Sequence, residues 1–587
     1  MSGIARTEEA TVESPASARG ASRLGNAITR YWGEGIVVAL ALLVWAPRLS
    51  GPIDLRWDGG VYYILGTSLA EGHGYRILSE PGAPEALQYP PLLPATIALF
   101  QKALGTTDPL VVGSWLRVSY AILFLIYGLA ALALAKRYLR PIFALAATGL
   151  CLLHFETIFL SDLLSAELPF ALLSVVFVLV AADGKTVSRP WLREAASFML
   201  GAAGFLLRTA GIVLLAAWVF EALARRRWWV AVRRGGLALV PVLAWQWHVA
   251  RVQSSAEYAY PAYEYQRASY QYYNVSYAEN VRLLDPFRPE LGRINVHAFA
   301  EHLVTTNLAA LGESIGGGIS TKKIEWYRIV ERSQRLILGK PVIPKGFAIV
   351  PILYLAALVL AGIVLLARRR AWLVVFIILG TFVLVWATPW PAQFIRYLMP
   401  LGCFLAICAV LALAELLRVL RNRRGSWLTI AGKLIVLGTF VLMFGAELYT
   451  SFRFFHLRQD PDAVVIAGGN KGRRLFAHER PWQEWEEAAA WLATHVQRGA
   501  IVATSAPHSL YLRTSLQAVL PPMNSDAERA RLLLEKVPVS FVIIESWEFL
   551  DMSRRYAQPA MESFDSDWRI VKTIGRTKIY QRANTGQ

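Results

Sequence analysis

GPIDLRWDGGVYYILGTSLAEGHG, residues 51–74, follows the first apolar run of the chain, near 35–49, and sets two carboxylates, Asp54 and Asp58, just beyond it. An acidic side chain beside a bilayer face is costly unless solvated or paired, so this pair marks a candidate site. After Asp58 the apolar residues Val61, Ile64, Leu65 and Leu69 recur at helical spacing and Gly72 and Gly74 close the run, which predicts a short helix lying along the interface. The next apolar stretch, YPPLLPATIALFQKALG from Tyr89 to Gly105, has prolines at its start and marginal length for a crossing. It reads as a re-entrant or surface helix.

Outward from this loop, composition decides the class. The 587 residues are 55% hydrophobic and 17% charged, against about a quarter charged in soluble domains. Apolar runs near the length that crosses about 30 Å of hydrocarbon recur, at 35–49, 111–135, 141–160, 167–182, 194–209, 210–224, 236–252, 346–367, 371–388, 397–418 and 430–449. The chain therefore reads as a polytopic α-helical membrane protein with eleven transmembrane helices. Arg208 interrupts the 194–224 stretch and predicts a tight outer turn. The basic clusters KRYLR, GKTVSRPWLR, RRRWWVAVRR, ARRRA and RVLRNRR alternate with outer loops that lack them, which puts the N-terminus in the cytoplasm. Much of the net charge of +18 lies in these clusters, so nucleic acid is not expected as a partner. The first run is followed at once by Pro-Arg and an acidic loop, with no small-residue cleavage site, and reads as an anchor.

Three regions follow: a disordered cytoplasmic tail, 1–30; a transmembrane domain, 31–450, with outer loops at 51–110 and 253–345; and a C-terminal outer domain, 451–587. In the last, polar helix patterns such as WQEWEEAAAWLATHV alternate with short strands at 500–504, 517–520 and 540–545, predicting an α/β domain with a largely parallel sheet. The tyrosine-dense tract 257–277 could stack on a sugar, although interfacial anchoring explains it more cheaply. Its sequon, Asn274-Val275-Ser276, is informative only in a glycosylating host. Cys151, Cys403 and Cys408 lie in apolar segments and read as small core residues. His154 reads as hydrogen-bonded within the bundle. There is no phosphate-loop or dinucleotide motif; the glycine-rich 467–474 and the Asp565-Ser566-Asp567 triplet read as turns.

The run WDGGVYYILGTSLAEGHGYR, followed by QYPPLLP, resembles the first outer loop of the GT-C glycosyltransferases, a group that includes protein O-mannosyltransferases, aminoarabinose transferases and Rgt-type lipopolysaccharide-core transferases. Asp58, Tyr62, Gly72, Gly74, Tyr75, Tyr89, Pro90 and Pro91 match in order; SDLLSAELPF at 161–170 resembles the second outer loop, and FIRYLMPL at 394–401 the entry to a late helix. One departure stands out: the family often has Asp-Glu where this chain has Asp58-Gly59.

The resemblance implies a transferase in the bacterial plasma (inner) membrane that moves a sugar from a polyprenyl-phosphate donor, with inversion, to a glycan, lipid or protein acceptor at the periplasmic face, with Asp58 as base. Residues 31–450 would be its catalytic domain and 451–587 a periplasmic domain. Arg208, Arg396 and Arg117 are the candidates for the donor phosphate, and Tyr62, Tyr89, Pro90 and Pro91 shape the loop. A divalent metal, Mg or Mn, would fall to Asp54, Asp162 or Glu167. Asp162 and Glu167 equally suit the dipole of the helix that begins there, and Arg117 equally suits snorkelling. The alternative is a polytopic transporter or lipid flippase with a periplasmic accessory domain, but no internal repeat is evident and the carboxylates gather at one face.

Overall fold

The computed structural model describes residues 31–182, 189–422, 426–456, 479–564 and 566–583. The tail 1–30, the glycine-rich run at 467–474 and Asp565 lie outside these residues. Every one of the eleven apolar segments is helical, the ninth, for example, as Trp372–Trp386 and the last as Ser426–His456. Four helical stretches among the described residues are long and apolar enough to cross a bilayer by length and composition: Pro109–Ala135, Lys345–Arg368, Pro391–Asn422 and Thr429–Phe454. A fifth is the pair Pro141–Leu153 and Phe155–Asp162, bent by 52° at His154. There His154 Nε2 lies 2.9 Å from the Gly317 carbonyl, and the Phe155 N–H donates to Glu447. A buried carboxylate thus takes one of the helix-start donors that a break leaves without a partner.

The first loop is pinned by backbone to the turn that follows Asp162. Asp54 and Leu163 form a parallel bridge, with Leu164 N–H donating to Asp54 O at 2.9 Å. Helix Asp58–Ala70 then packs on helix Leu92–Leu104, where Gly66 allows contact with Ile97. The interfacial reading of Asp58–Ala70 is corrected. Val61, Tyr62, Tyr63, Ile64 and Leu65 cover several sides of the helix and all are buried. Tyr62 and Tyr63 face the transmembrane core, whereas Val61 and Leu65 enter a second core with Trp482, Trp485 and Trp547 of the C-terminal domain. A helix buried on several faces shows no single apolar stripe, and that is what the sequence has here.

The C-terminal domain carries a five-stranded sheet, ordered β2-β1-β3-β5-β4, from β1 (Ile501–Ala503), β2 (Gln517–Val519), β3 (Val539–Ile544), β4 (Trp568–Ile574) and β5 (Thr577–Arg582). The first three strands pair in parallel, but β4 and β5 form an antiparallel hairpin added to β3, so the sheet is mixed rather than largely parallel. The hairpin turns tightly at Gly575, whose positive φ suits a residue without a side chain.

The tyrosine tract joins the domain to the first loop. Tyr263 and Tyr265 are buried; Tyr263 donates to Glu80 at 2.9 Å and Tyr265 to the Leu520 carbonyl at 3.2 Å. Interfacial anchoring therefore does not account for these two rings. The sequon asparagine, Asn274, is fully buried and donates to the same Glu80 at 2.8 Å. Burial pushes the Glu80 carboxyl above its ordinary 4.5 despite these donors. Above pH 4.5 the unfolded chain has lost this proton while the fold retains it, so unfolding releases a proton and the stability it contributes falls as pH rises toward the folded value. Glu80→Gln, which keeps an acceptor for Tyr263 and Asn274, should show a smaller drop in melting temperature than the parent between about pH 5 and 8. Thermal unfolding across that range checks it.

Candidate functional site

Asp58 is the first residue of its helix, where the dipole favours a carboxylate. Trp57 before it holds φ 54° and ψ −129°, a conformation that costs on the order of 1–3 kcal/mol outside glycine. Its ring sits edge-on between Phe159 and Trp482, each with centroids 5.7 Å away, so packing from two regions keeps the turn that aims Asp58.

Four charged groups from four distant stretches meet here. Arg396 donates from Nη2 to Asp58 Oδ2 at 2.5 Å and from Nε to Glu167 Oε1 at 2.7 Å. Arg208, extended between helices Pro190–Leu207 and Ile212–Ala224, places Nη1 3.0 Å from the same Glu167 oxygen. The signs alternate along the chain Asp58, Arg396, Glu167, Arg208, and the formal charges cancel. Partly buried charges need this compensation. Tyr89 donates its hydroxyl to Asp58 Oδ1 at 2.9 Å and rests its ring against Tyr62, centroids 4.9 Å apart. Pro90 lines the same cavity, and Pro91 precedes the helix Leu92–Leu104.

The cavity holds about 1200 Å³. Its polar part carries Asp58, Glu167, Arg208 and Arg396, with Tyr272, Tyr273 and Tyr277 from the tyrosine tract. Its apolar part is lined by Ile212, Val213 and Leu214 from one helix and by Ile377, Val383 and Leu384 from Trp372–Trp386. Glu156 and Lys322, 2.5 Å apart, form a further ion pair in the wall; the sequence left the role of Glu156 open and gave no signal for Lys322.

The other candidates lie apart from this cavity. Asp54 is bound to Arg56, whose Nε is 2.7 Å from its Oδ2. Asp162 pairs with Arg117 at 3.0 Å and with Arg48 at 3.3 Å, and Arg117 also donates to the carbonyls of Arg48 and Pro52. Arg117 is buried rather than snorkelling. Among the described residues no three His, Cys, Asp or Glu side chains come together as a metal-holding group. The carboxylates expected to serve a metal instead each hold guanidinium groups, so the residues present do not fit such a site.

Gly59 explains the departure from Asp-Glu. A Cβ there would lie 3.1 Å from the Leu164 carbonyl oxygen and 3.4 Å from that of Asp54, backbone already committed to the bridge between the loops.

The helical bundle, the acidic first loop buried beneath the C-terminal domain and the mixed C-terminal sheet make up a fold similar to that of two kinds of solved protein. ArnT from Cupriavidus metallidurans bound to undecaprenyl phosphate matches with a TM-score of 0.51 at 13% identity, over 94% of this chain and 98% of that one. The oligosaccharyltransferase of Archaeoglobus fulgidus, tethered to an acceptor peptide, matches with a TM-score of 0.51 at 13% identity, over 88% and 69%. The same oligosaccharyltransferase in complex with Zn and sulfate matches with a TM-score of 0.50 at 14% identity, over 87% and 67%. No protein-family model and no curated protein sequence matches the chain.

Gly59→Ala should destabilise the protein by about 1–3 kcal/mol through overpacking against fixed backbone, and Gly59→Glu by more. Thermal unfolding of purified variants in one detergent measures both.

Proposed function

We propose that the chain is an inverting glycosyltransferase that takes a sugar from a polyprenyl-phosphate donor and transfers it to a hydroxyl-bearing acceptor of the cell envelope, glycan, lipid or protein, at the periplasmic face of a bacterial plasma membrane. The observation that carries this reading is the convergence of Asp58, Arg396, Glu167 and Arg208 in a cavity that apolar side chains of Ile212–Ala224 and Trp372–Trp386 also line. The charged lining suits a sugar phosphate and the apolar lining a lipid tail. ArnT in its undecaprenyl-phosphate complex shares the fold, which supports the donor class. In this reading the eleven helical segments all cross, with the N-terminus cytoplasmic and the C-terminal domain outside, and the loops 51–110 and 253–345 are periplasmic.

The chemistry follows from the residues. The acceptor oxygen attacks the anomeric carbon from the side opposite the phosphate; the carbon–oxygen bond to phosphate breaks and polyprenyl phosphate leaves. Asp58 takes the hydroxyl proton. A carboxylate, with an ordinary pKa of about 3.9, accepts it late, as positive charge builds on the attacking oxygen. Tyr89 and Arg396 each occupy one lone pair on a different oxygen of Asp58, which keeps the carboxylate oriented and leaves acceptor capacity on both. Negative charge grows on the phosphate, and Arg208 and Arg396 stabilise it from fixed positions. Glu167 holds the two guanidiniums side by side against their mutual repulsion. Asp54, Asp162 and Arg117 hold the loop that carries Asp58. No step is routed through a metal.

Asp58→Asn should fold, because an amide keeps the shape and a hydrogen bond to Arg396. It should lose about 10²–10⁴-fold in kcat of transfer from a lipid-linked donor. Retention of full activity by that variant would remove Asp58 from the base role. Arg208→Gln should weaken binding of undecaprenyl phosphate by about tenfold or more, the value of a charge-assisted contact, read by titration of the protein in nanodiscs.

A further inference from the structure

The loop 253–345 ends in a helix that is held firmly at one end and bare at the other. At the start of Lys323–Leu338, Trp326 is buried and donates to Ser320 at 3.2 Å, and Glu325 accepts from Arg453 at 2.5 Å. Lys322, just before the helix, belongs to the cavity wall. The last turn has no such support: Leu336, Ile337 and Leu338 are 86%, 77% and 56% exposed. Three consecutive apolar residues point to most sides of a helical turn, and leaving them all in water is costly unless something receives them.

Two observations narrow what that is. The first is where the chain goes next. It caps the helix at Gly339, with φ 72°, and doubles back: Gln334 accepts from the N–H groups of Val342 and Ile343 at 2.5 and 2.6 Å, and Lys345 stands 4.9 Å from the Tyr327 ring centre. Val342, Ile343 and Phe347 are exposed as well. They lead directly into Lys345–Arg368, long and apolar enough to cross a bilayer, on which Val350 and Leu353 are also exposed.

The second observation is charge. Residues 322–345 hold seven Lys and Arg against two Glu. Arg332, Arg335 and Lys340, close in sequence to the bare turn, are all exposed, Arg335 sharing its guanidinium with Glu331. Apolar residues interleaved with cations suit the boundary between acyl chains and acidic headgroups. A second copy of the chain suits it poorly, because a two-fold contact would set two basic patches against each other.

We propose that the end of helix Lys323–Leu338 and the loop 339–347 dock on the bilayer leaflet adjoining the cavity and select anionic phospholipid of the phosphatidylglycerol class. Leu336, Ile337 and Val342 sit among the upper acyl carbons, and Arg332, Arg335 and Lys340 meet headgroup phosphates. The lipid then steadies the free end of a helix whose other end borders the cavity. None of this depends on the transfer reading, since the lipid is neither donor nor acceptor.

The test uses the full-length protein in nanodiscs with a fluorophore on Leu338→Cys; the three native cysteines are buried. Quenching by spin-labelled phosphatidylglycerol and by spin-labelled phosphatidylcholine gives their relative binding constant beside residue 338. It should favour phosphatidylglycerol by about fivefold or more, the factor a single cation contributes near an acidic lipid surface. The preference should shrink as salt rises from about 0.1 to 1 M, over which the screening length falls from about 10 to 3 Å. Adding Arg332→Gln, Arg335→Gln and Lys340→Gln together should bring the ratio to about one, and adding Leu336→Ser with Ile337→Ser should weaken quenching by both lipids. These changes fall on exposed side chains, so the variants should fold. The proposal is overturned if the two lipids quench equally, if the triple glutamine variant keeps the preference, or if neither quencher reaches the probe, whether water or a second copy surrounds it.

Discussion

The structure depends on one constraint: the aspartate at the start of helix Asp58–Ala70 cannot be held next to Glu167 without cations between and beside them. Two carboxylates in a partly dry cavity repel, and neither ionises cheaply alone. Arg396 bridges both, and Arg208 completes the neutralisation from the break between two helices. Removing either carboxylate would leave a guanidinium short of a partner, and removing Arg396 would leave two acids facing each other. The arrangement that balances the resting protein also lines the cavity, so in the transfer reading proposed above stability and chemistry draw on one set of contacts.

A second, separate network holds the frame. Asp162 with Arg117 and Arg48 ties the start of the second loop to helix Pro109–Ala135 and to the segment before the first loop, while Asp54 with Arg56 braces the first loop locally. These pairs are buried and rich in backbone acceptors, which is the setting in which a lost partner is most damaging. The alternation of a framing network and a lining network explains why so many charged residues crowd into loops next to a membrane.

Much of this was legible in the sequence, and the boundary is physical. Asp58, Tyr89 and Arg396 were readable because each sits in a short ordered pattern on one local stretch. That Tyr89 bonds to Asp58 was not, since the pattern carries order and not contact. Arg117 stood open between a phosphate contact and snorkelling, because an arginine near a helix end has the same signature whether it meets a phosphate, the interface or an aspartate 45 residues away. Helix Asp58–Ala70 was read as interfacial because the residues that cover its outer side, Trp482 and Trp547, belong to the far end of the chain. The β4–β5 hairpin was in principle visible, as alternating residues either side of Gly575-Arg576, but exposed residues along β4 blur the apolar period. Nothing in the sequence joins His508 to the Ser79 hydroxyl, which its Nδ1 meets at 2.8 Å.

The core shared by Val61, Leu65 and the C-terminal tryptophans also governs how the molecule comes into being. Ser79 and His508 are 429 residues apart in sequence, so the ribosome delivers the acidic loop long before the residues that roof it. Until then, that helix has an apolar flank with nothing to cover it, and a contact of such long range forms slowly. The cavity is therefore completed only after the C-terminal domain has been made, at the end of synthesis rather than at its start.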